Sequence, residues 1–212
     1  MGIAERKERE KEQRRQQIIN AAEKVFFQHG FEPASMDMVA EAAELSKATL
    51  YSYFKSKEEL YFHLFKRGET ILMQLIEQAI THTQSFSDKL LAALKAVVRF
   101  RKKYKKYFDV MEYFMSVRQQ KPEIEALMKE HLREEQCQLS LWSDLFEEGK
   151  KQGLVRDDVN PLRCMIVIWL MFTGFLQRYQ LVGKNLKQDF GLNEDELLQE
   201  AYQLILNGVL KK

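Results

Sequence analysis

Residues 35–60 read SMDMVAEAAELSKATLYSYFKSKEEL, the pattern of a short helix, a tight turn, a second short helix and the capped start of a third. Ser35 stands where its hydroxyl can accept a hydrogen bond from an orphan backbone N–H. Met36, Val39, Ala40 and Ala43 then recur at helical spacing and make one apolar face. Glu44 and Leu45 fit the turn, and Ser46 can cap the next helix. At about 100° per residue, Leu50 and Phe54 share one side of that helix. Ser52 points directly away from them, with Ala48, Thr49 and Tyr51 beside it. Two inner anchors beneath an outer face of small, hydroxyl-bearing and aromatic groups is the layout of a helix-turn-helix whose second helix enters a DNA major groove.

The flanks extend the pattern. A preceding helix runs from about Arg14 to His29, with Ile18, Ile19, Ala22, Val25 and Phe26 on one stripe. It stops at Gly30, the residue type suited to a left-handed C-terminus. Ser56 and Glu59 form a capping box for the helix after the motif. The whole run, IINAAEKVFFQHGFEPASMDMVAEAAELSKATLYSYFKSKEEL, resembles the DNA-binding domain of the TetR family of bacterial transcriptional regulators, over about a quarter of the chain. The resemblance implies that Lys47, Ala48, Tyr51 and Ser52 face base edges, with Ser46 at the start of the recognition helix. It also implies that Ser35, Thr49, Tyr53 and Lys57 bind phosphates. The chemistry suits those roles: a lysine can donate to guanine, an alanine or tyrosine ring can touch a thymine methyl, and Lys57 offers a point charge. The chain departs from the family at Glu44, where the turn usually carries Gly. If the backbone there needs a positive φ, Glu costs on the order of 1 kcal/mol.

With nine Gly and three Pro in 212 residues, and no strand alternation or hairpin signal, the composition is that of an all-α protein. The net charge is only +2, and residues 1–60 hold ten basic and eleven acidic side chains, so bulk charge does not advertise nucleic-acid binding. Cys137 and Cys164 form neither a metal-ligand spacing nor a disulfide framework, and a reducing cytoplasmic compartment suits them. The N-terminus is charged from Glu5 onward and has no apolar signal-peptide core. The longest apolar run, 164–176, falls short of the ~20 residues a bilayer needs, which predicts a soluble protein. His29, His63, His82 and His131 are scattered without paired spacing. There is no nucleophile elbow or phosphate loop, so neither an enzyme nor a cofactor or metal site is expected.

Along the rest of the chain, residues 1–15 alternate charges and are expected to fray. Helix 57–80 connects a DNA-binding domain at 1–60 to a second domain at 61–212. Further helices follow at 88–119, broken near Tyr104–Phe108, at 122–151, at 161–182 closed by Gly183, and at 194–210, about nine helices in all. Met and aromatic residues crowd the second domain, where the resemblance implies an effector pocket. Candidate lining residues are Tyr104, Phe108, Met111, Phe114, Trp142, Phe146, Met165, Trp169 and Phe172, a set suited to an adaptable apolar cavity. The family uses its last two helices for a four-helix dimer interface, which on this chain points to Ile168, Met171, Phe175, Tyr202, Ile205, Leu206 and Val209. Gly174 would permit close helix approach. Seven basic residues and no acid lie between Lys95 and Lys106, a solvated face or the mouth of an anion site. These features together describe a homodimeric regulator, most simply a repressor, of a palindromic DNA operator with a small-molecule effector. An activator or ligand-independent regulator is the rival within DNA binding, and a helical small-molecule carrier the rival outside it.

Overall fold

The computed structural model describes residues 2–134 and 136–211; the side chains of residues 3 and 133–142 lie outside that description. Ten helices follow in order: α1 Ile3–His29, α2 Met36–Ala42, α3 Lys47–Tyr53, α4 Lys57–Thr81, α5 Phe86–Lys103, α6 Lys105–Val117, α7 Pro122–Glu134, α8 Gln136–Lys151, α9 Pro161–Phe190 and α10 Glu194–Val209. The all-α reading holds. Asn160 caps α9 by accepting from the Arg163 backbone N–H at 3.0 Å, and Asn193 and Glu196 form a reciprocal capping box on α10.

The stretch 122–151 is helical on both sides of residue 135, which lies outside the described residues. Two boundaries differ from the sequence reading. α1 starts at Ile3 rather than fraying up to Arg14. Its first turns are rich in strong helix formers and carry i,i+4 contacts such as Arg6–Glu10 at 2.8 Å. α9 does not stop at Gly183. That glycine is buried inside the helix, where a Cβ would stand 2.7 Å from the Tyr179 ring, and the helix ends at Gly191 with φ +72.

By packing the chain forms two compact units, Met1–Ile71 with Lys103–Arg133, and Leu72–Lys102 with Glu134–Lys212. The first holds α1–α3, the front of α4, α6 and α7. Its core runs from Ile18, Val39, Leu50 and Phe54 to an aromatic cluster in which Phe114 of α6 meets Tyr61, Phe62 and Phe65 of α4 at centroid distances of 5.4–5.5 Å. Within this unit Glu23 of α1 accepts from Arg67 of α4 and, at 2.7 Å, from Tyr107 of α6. Burial and that carboxylate push the Tyr107 hydroxyl up to about 12. The second unit packs α5, α8, α9 and α10. Phe86 meets Phe146 at 5.4 Å, and Phe172 stacks on Tyr202 at 5.7 Å.

Candidate nucleic-acid interface

Ser35 caps α2 by accepting from the Met38 backbone N–H at 3.2 Å, while Met36, Val39 and Ala40 are buried against α1. The helix ends in two nested bonds, Leu45 N–H to the Ala40 carbonyl at 2.9 Å and Glu44 N–H to the Glu41 carbonyl at 3.0 Å. That is a Schellman turn, whose C′ residue must be left-handed. Glu44 fills the position at φ 55, the one positive φ of a non-glycine among the described residues. The turn the sequence left conditional is therefore the strained one.

Ser46 then caps α3. Its Oγ accepts from the Thr49 N–H at 3.1 Å and lies 2.8 Å from the Thr49 hydroxyl. Leu50 and Phe54 are fully buried. Lys47, Ala48, Tyr51 and Ser52 stand exposed on the other side, with Thr49 and Tyr53 half-exposed. Tyr51 keeps 51% of its surface in solvent. Lys47 pairs with Asp37 at 2.6 Å, but both side chains are mostly exposed. An ion pair of that kind is weak and easily exchanged for a phosphate or a base edge.

Two lysine and arginine placements bear on how this face is held. Lys57 is half-buried. Its ammonium donates to the carbonyls of Phe31, Glu32 and Ala34 at 3.2–3.4 Å and lies 4.4 Å over the Phe31 ring, whose centroid is 5.0 Å from the Lys121 ammonium. The side chain expected to meet phosphate instead ties down the loop between α1 and α2. At the start of α4, Ser56 accepts from the Glu59 N–H at 3.1 Å as expected, while Glu59 reaches back one residue further, accepting from the Lys55 N–H at 2.7 Å. Arg15, which sequence reasoning passed over, reaches the other end of the recognition helix. Its guanidinium donates to the Tyr53 carbonyl at 3.4 Å, lies 4.4 Å over Phe54 and contacts His63 Nε2 at 2.8 Å. Burial, then the Arg15 charge, pushes the His63 imidazole down to about 4. The neutral ring therefore accepts from Arg15. The only signal in the sequence was an arginine three positions before the first buried residue of α1.

The candidate effector residues fall in both packing units. Phe108, Met111 and Phe114 are buried in the first unit, with Tyr104 half-buried at the start of α6. Phe146 and Phe172 are buried in the second, where Met165 and Trp169 are half-exposed. The Trp142 side chain lies outside the described residues. A groove of about 310 Å³ in the second unit is lined by other residues, Leu75, Ala79, Ala92 and Ala96 with Lys95 and Arg99 at its edge. The rest of the basic run is engaged. Arg101 pairs with Glu194, Lys102 with Glu194 at 3.0 Å and Lys105 with Asp109 at 2.6 Å, while Lys106 donates to the Phe27 carbonyl at 2.7 Å.

The assigned interface residues are also redistributed. Ile168, Tyr202, Ile205, Leu206 and Val209 are buried within the subunit, Phe175 is half-buried, and Met171 is 56% exposed. The apolar side chains that these two helices leave in solvent are Leu162, Ile166, Val167, Leu170, Met171, Leu181, Val182 and Phe190 of α9 and Leu204 of α10. With its full length, α9 is long and apolar enough to cross a membrane by length and composition alone, contrary to the thirteen-residue run read from the sequence. A Cβ at Gly174 would meet nothing within 4 Å.

Comparison with known proteins places this geometry. Residues 18–64 match the family model described as bacterial regulatory proteins, tetR family. An uncharacterized HTH-type transcriptional regulator, YhgD of Bacillus subtilis, is 29% identical over 159 residues, covering 74% of this chain and 80% of the relative. The HTH-type transcriptional activator FasR of Mycolicibacterium smegmatis is 37% identical over 90 residues, 42% of this chain and 41% of FasR. Among solved structures, the fatty acid degradation regulator FadR from Bacillus halodurans superposes with a TM-score of 0.68 at 22% identity, covering 92% of this chain and 95% of FadR.

Proposed function

We propose a mode of action for what is a DNA-binding transcriptional regulator of the TetR family: a homodimeric repressor that leaves a palindromic operator when a small, mostly apolar molecule binds. Residues 1–60 read the DNA, and residues 61–212 bind the effector and the second subunit, with α4 joining the two functions. The observation that carries this reading is the outward face of α3. Lys47, Ala48, Tyr51 and Ser52 present to base edges, while Ser35, Thr49 and Tyr53 meet phosphates. Lys57 holds the loop behind them.

The exposed apolar side of α9 supports the homodimer, since monomeric proteins seldom leave such a surface to water. Covering it with a second copy also removes any need for a membrane, in keeping with a cytoplasmic regulator. Successive major grooves on one face of DNA lie ~34 Å apart, so a dimer controls affinity through the separation of its two recognition helices. The Glu23–Arg67–Tyr107 contacts make α6 move with α1 and α4. An effector that changes this separation needs a coupling of only ~1–3 kcal/mol. The apolar and aromatic content of residues 100–172 and the likeness to a fatty acid degradation regulator support an amphiphile with one acidic group as effector.

The test is selection of bound sequences from random duplex DNA, repeated with lipophilic acids, neutral lipophiles and lipophilic cations. A selected palindrome whose binding is weakened by acids agrees with the proposal; a single half-site, or indifference to all three classes, contradicts it. The match to the activator FasR favours activation as the second reading, which a promoter fusion separates from repression by the sign of its response.

A further inference from the structure

α1 is several turns longer than its packing requires. Residues 4–14 are exposed at every position, and Ile18 is the first fully buried residue of the helix, yet the chain is helical from Ile3. What this extension carries is charge. Lys7, Lys11 and Arg14 follow at spacings of four and three on the line that continues into Ile18. Glu5, Glu8 and Glu12 lie roughly 100–160° around the helix from Lys7, and Glu10 roughly 60° from it. Three of the four acids are engaged elsewhere: Glu5 accepts from the Gly2 N–H at 2.9 Å, Glu10 from Arg6 at 2.8 Å and Glu12 from Gln16 at 2.8 Å. Lys7 and Lys11 make no ion pair or hydrogen bond among the described residues.

The direction of the helix gives these cations a place. Near its C-terminal end α1 is held to α6, with Phe27 edge-on to Tyr107 at 5.0 Å. Twelve residues earlier, Arg15 holds the C-terminal end of α3 at the Tyr53 carbonyl. The axis of α1 thus leads from α6 to the recognition helix, and residues 3–14 carry it roughly 18 Å further. The cation line leaves on the inner side of α1, the side on which the head packs.

We propose that this extension is an arm for DNA flanking the operator, with Lys7, Lys11 and Arg14 set along the phosphate backbone outside the base pairs that α3 reads. The inference rests on the DNA-binding role of α3 and adds a second, sequence-independent surface to it. At ~3.4 Å per base pair along one strand, 18 Å spans about five base pairs.

The test compares the full chain with a Lys7→Gln/Lys11→Gln variant on the selected operator, with and without five flanking base pairs at each end, across 50–200 mM KCl. Each lost phosphate contact lowers the slope of log K against log salt by about 0.9. The variant is expected to bind the flanked duplex with a slope smaller by about 1.8 per bound arm and to match the wild type on the trimmed duplex. Lys7→Arg/Lys11→Arg should retain the full slope, and circular dichroism should show unchanged helicity. Equal slopes for variant and wild type on the flanked duplex would overturn the arm and leave the reading of α3 standing. A wild-type chain with no sequence preference on the trimmed duplex would overturn both.

Discussion

Glu44 concentrates backbone strain at one residue of the DNA-binding head. At φ 55 in the C′ position of the turn after α2, an L side chain costs ~1–2 kcal/mol, and glycine offsets part of that gain through its freedom in the unfolded chain. Glu44→Gly should therefore raise the unfolding free energy by about 0.5–1 kcal/mol, read as a higher urea midpoint at unchanged m and unchanged operator affinity. A lower midpoint would show that the Glu44 side chain supplies more than its backbone costs. Lys57 tests the opposite end of the head. Because its ammonium serves three carbonyls, Lys57→Met should cost about 1–2 kcal/mol of stability while the salt slope of DNA binding stays the same; a reduced slope would show that the side chain leaves the loop for a phosphate. His63 gives the head a pH dependence of known sign. Its folded pKa is pushed down to about 4, below an unfolded value of ~6.5, so the unfolded state binds the extra proton. This stability is complete above pH ~6.5 and is lost as pH falls toward 4. His63→Gln should flatten the unfolding free energy across that window, and an unchanged profile would assign the acid sensitivity to carboxylates instead.

Single elements show where sequence pattern suffices and where it does not. The turn and both short helices of the head were legible because each signal is local: a hydroxyl cap, a pair of inner anchors, a residue that must turn left. α9 was misjudged for a physical reason. A glycine looks the same in a sequence whether it supplies a positive φ, as Gly191 does, or leaves room for a ring, as Gly183 does for Tyr179. Ending the helix at Gly183 hid its last two turns. Most residues assigned to the interface are buried within the chain, since periodicity identifies an apolar face but not which of two apolar faces meets the protein's own core. Leu206 is 9% exposed and Leu170 is 64% exposed, which separates their effects. Leu170→Glu should leave a folded, cooperatively melting monomer in sedimentation velocity, with dimers weakened ~10²-fold or more (about 2.7 kcal/mol). Leu206→Glu should lower the melting temperature sharply, because it buries a charge with no partner. Equal sedimentation of wild type and Leu170→Glu would remove α9 from the interface. The effector residues were least legible, because Met and aromatic density marks cavity and core alike; Phe114, the centre of the aromatic cluster, turned out to be core.

At the scale of the whole molecule, the chain leaves the first packing unit after Ile71, returns at Lys103 and leaves again after Arg133. The functional division we propose at residue 60 and the division by packing are thus different partitions of one chain, and α4 spans both. The interleaving also fixes an order of events during synthesis. When Ile71 has been made, Phe62 and Phe65 lack Phe114, the ring on α6 against which they pack. At ~5–20 residues per second, roughly 3–12 s pass before the ribosome reaches Arg133. For that interval the emerging DNA-binding head presents unpartnered aromatic surface, with residues 72–102 emerging next and awaiting helices made still later. A nascent chain in this position depends on chaperones or on the slowness of its own aggregation, a demand that a head complete at residue 60 would not impose.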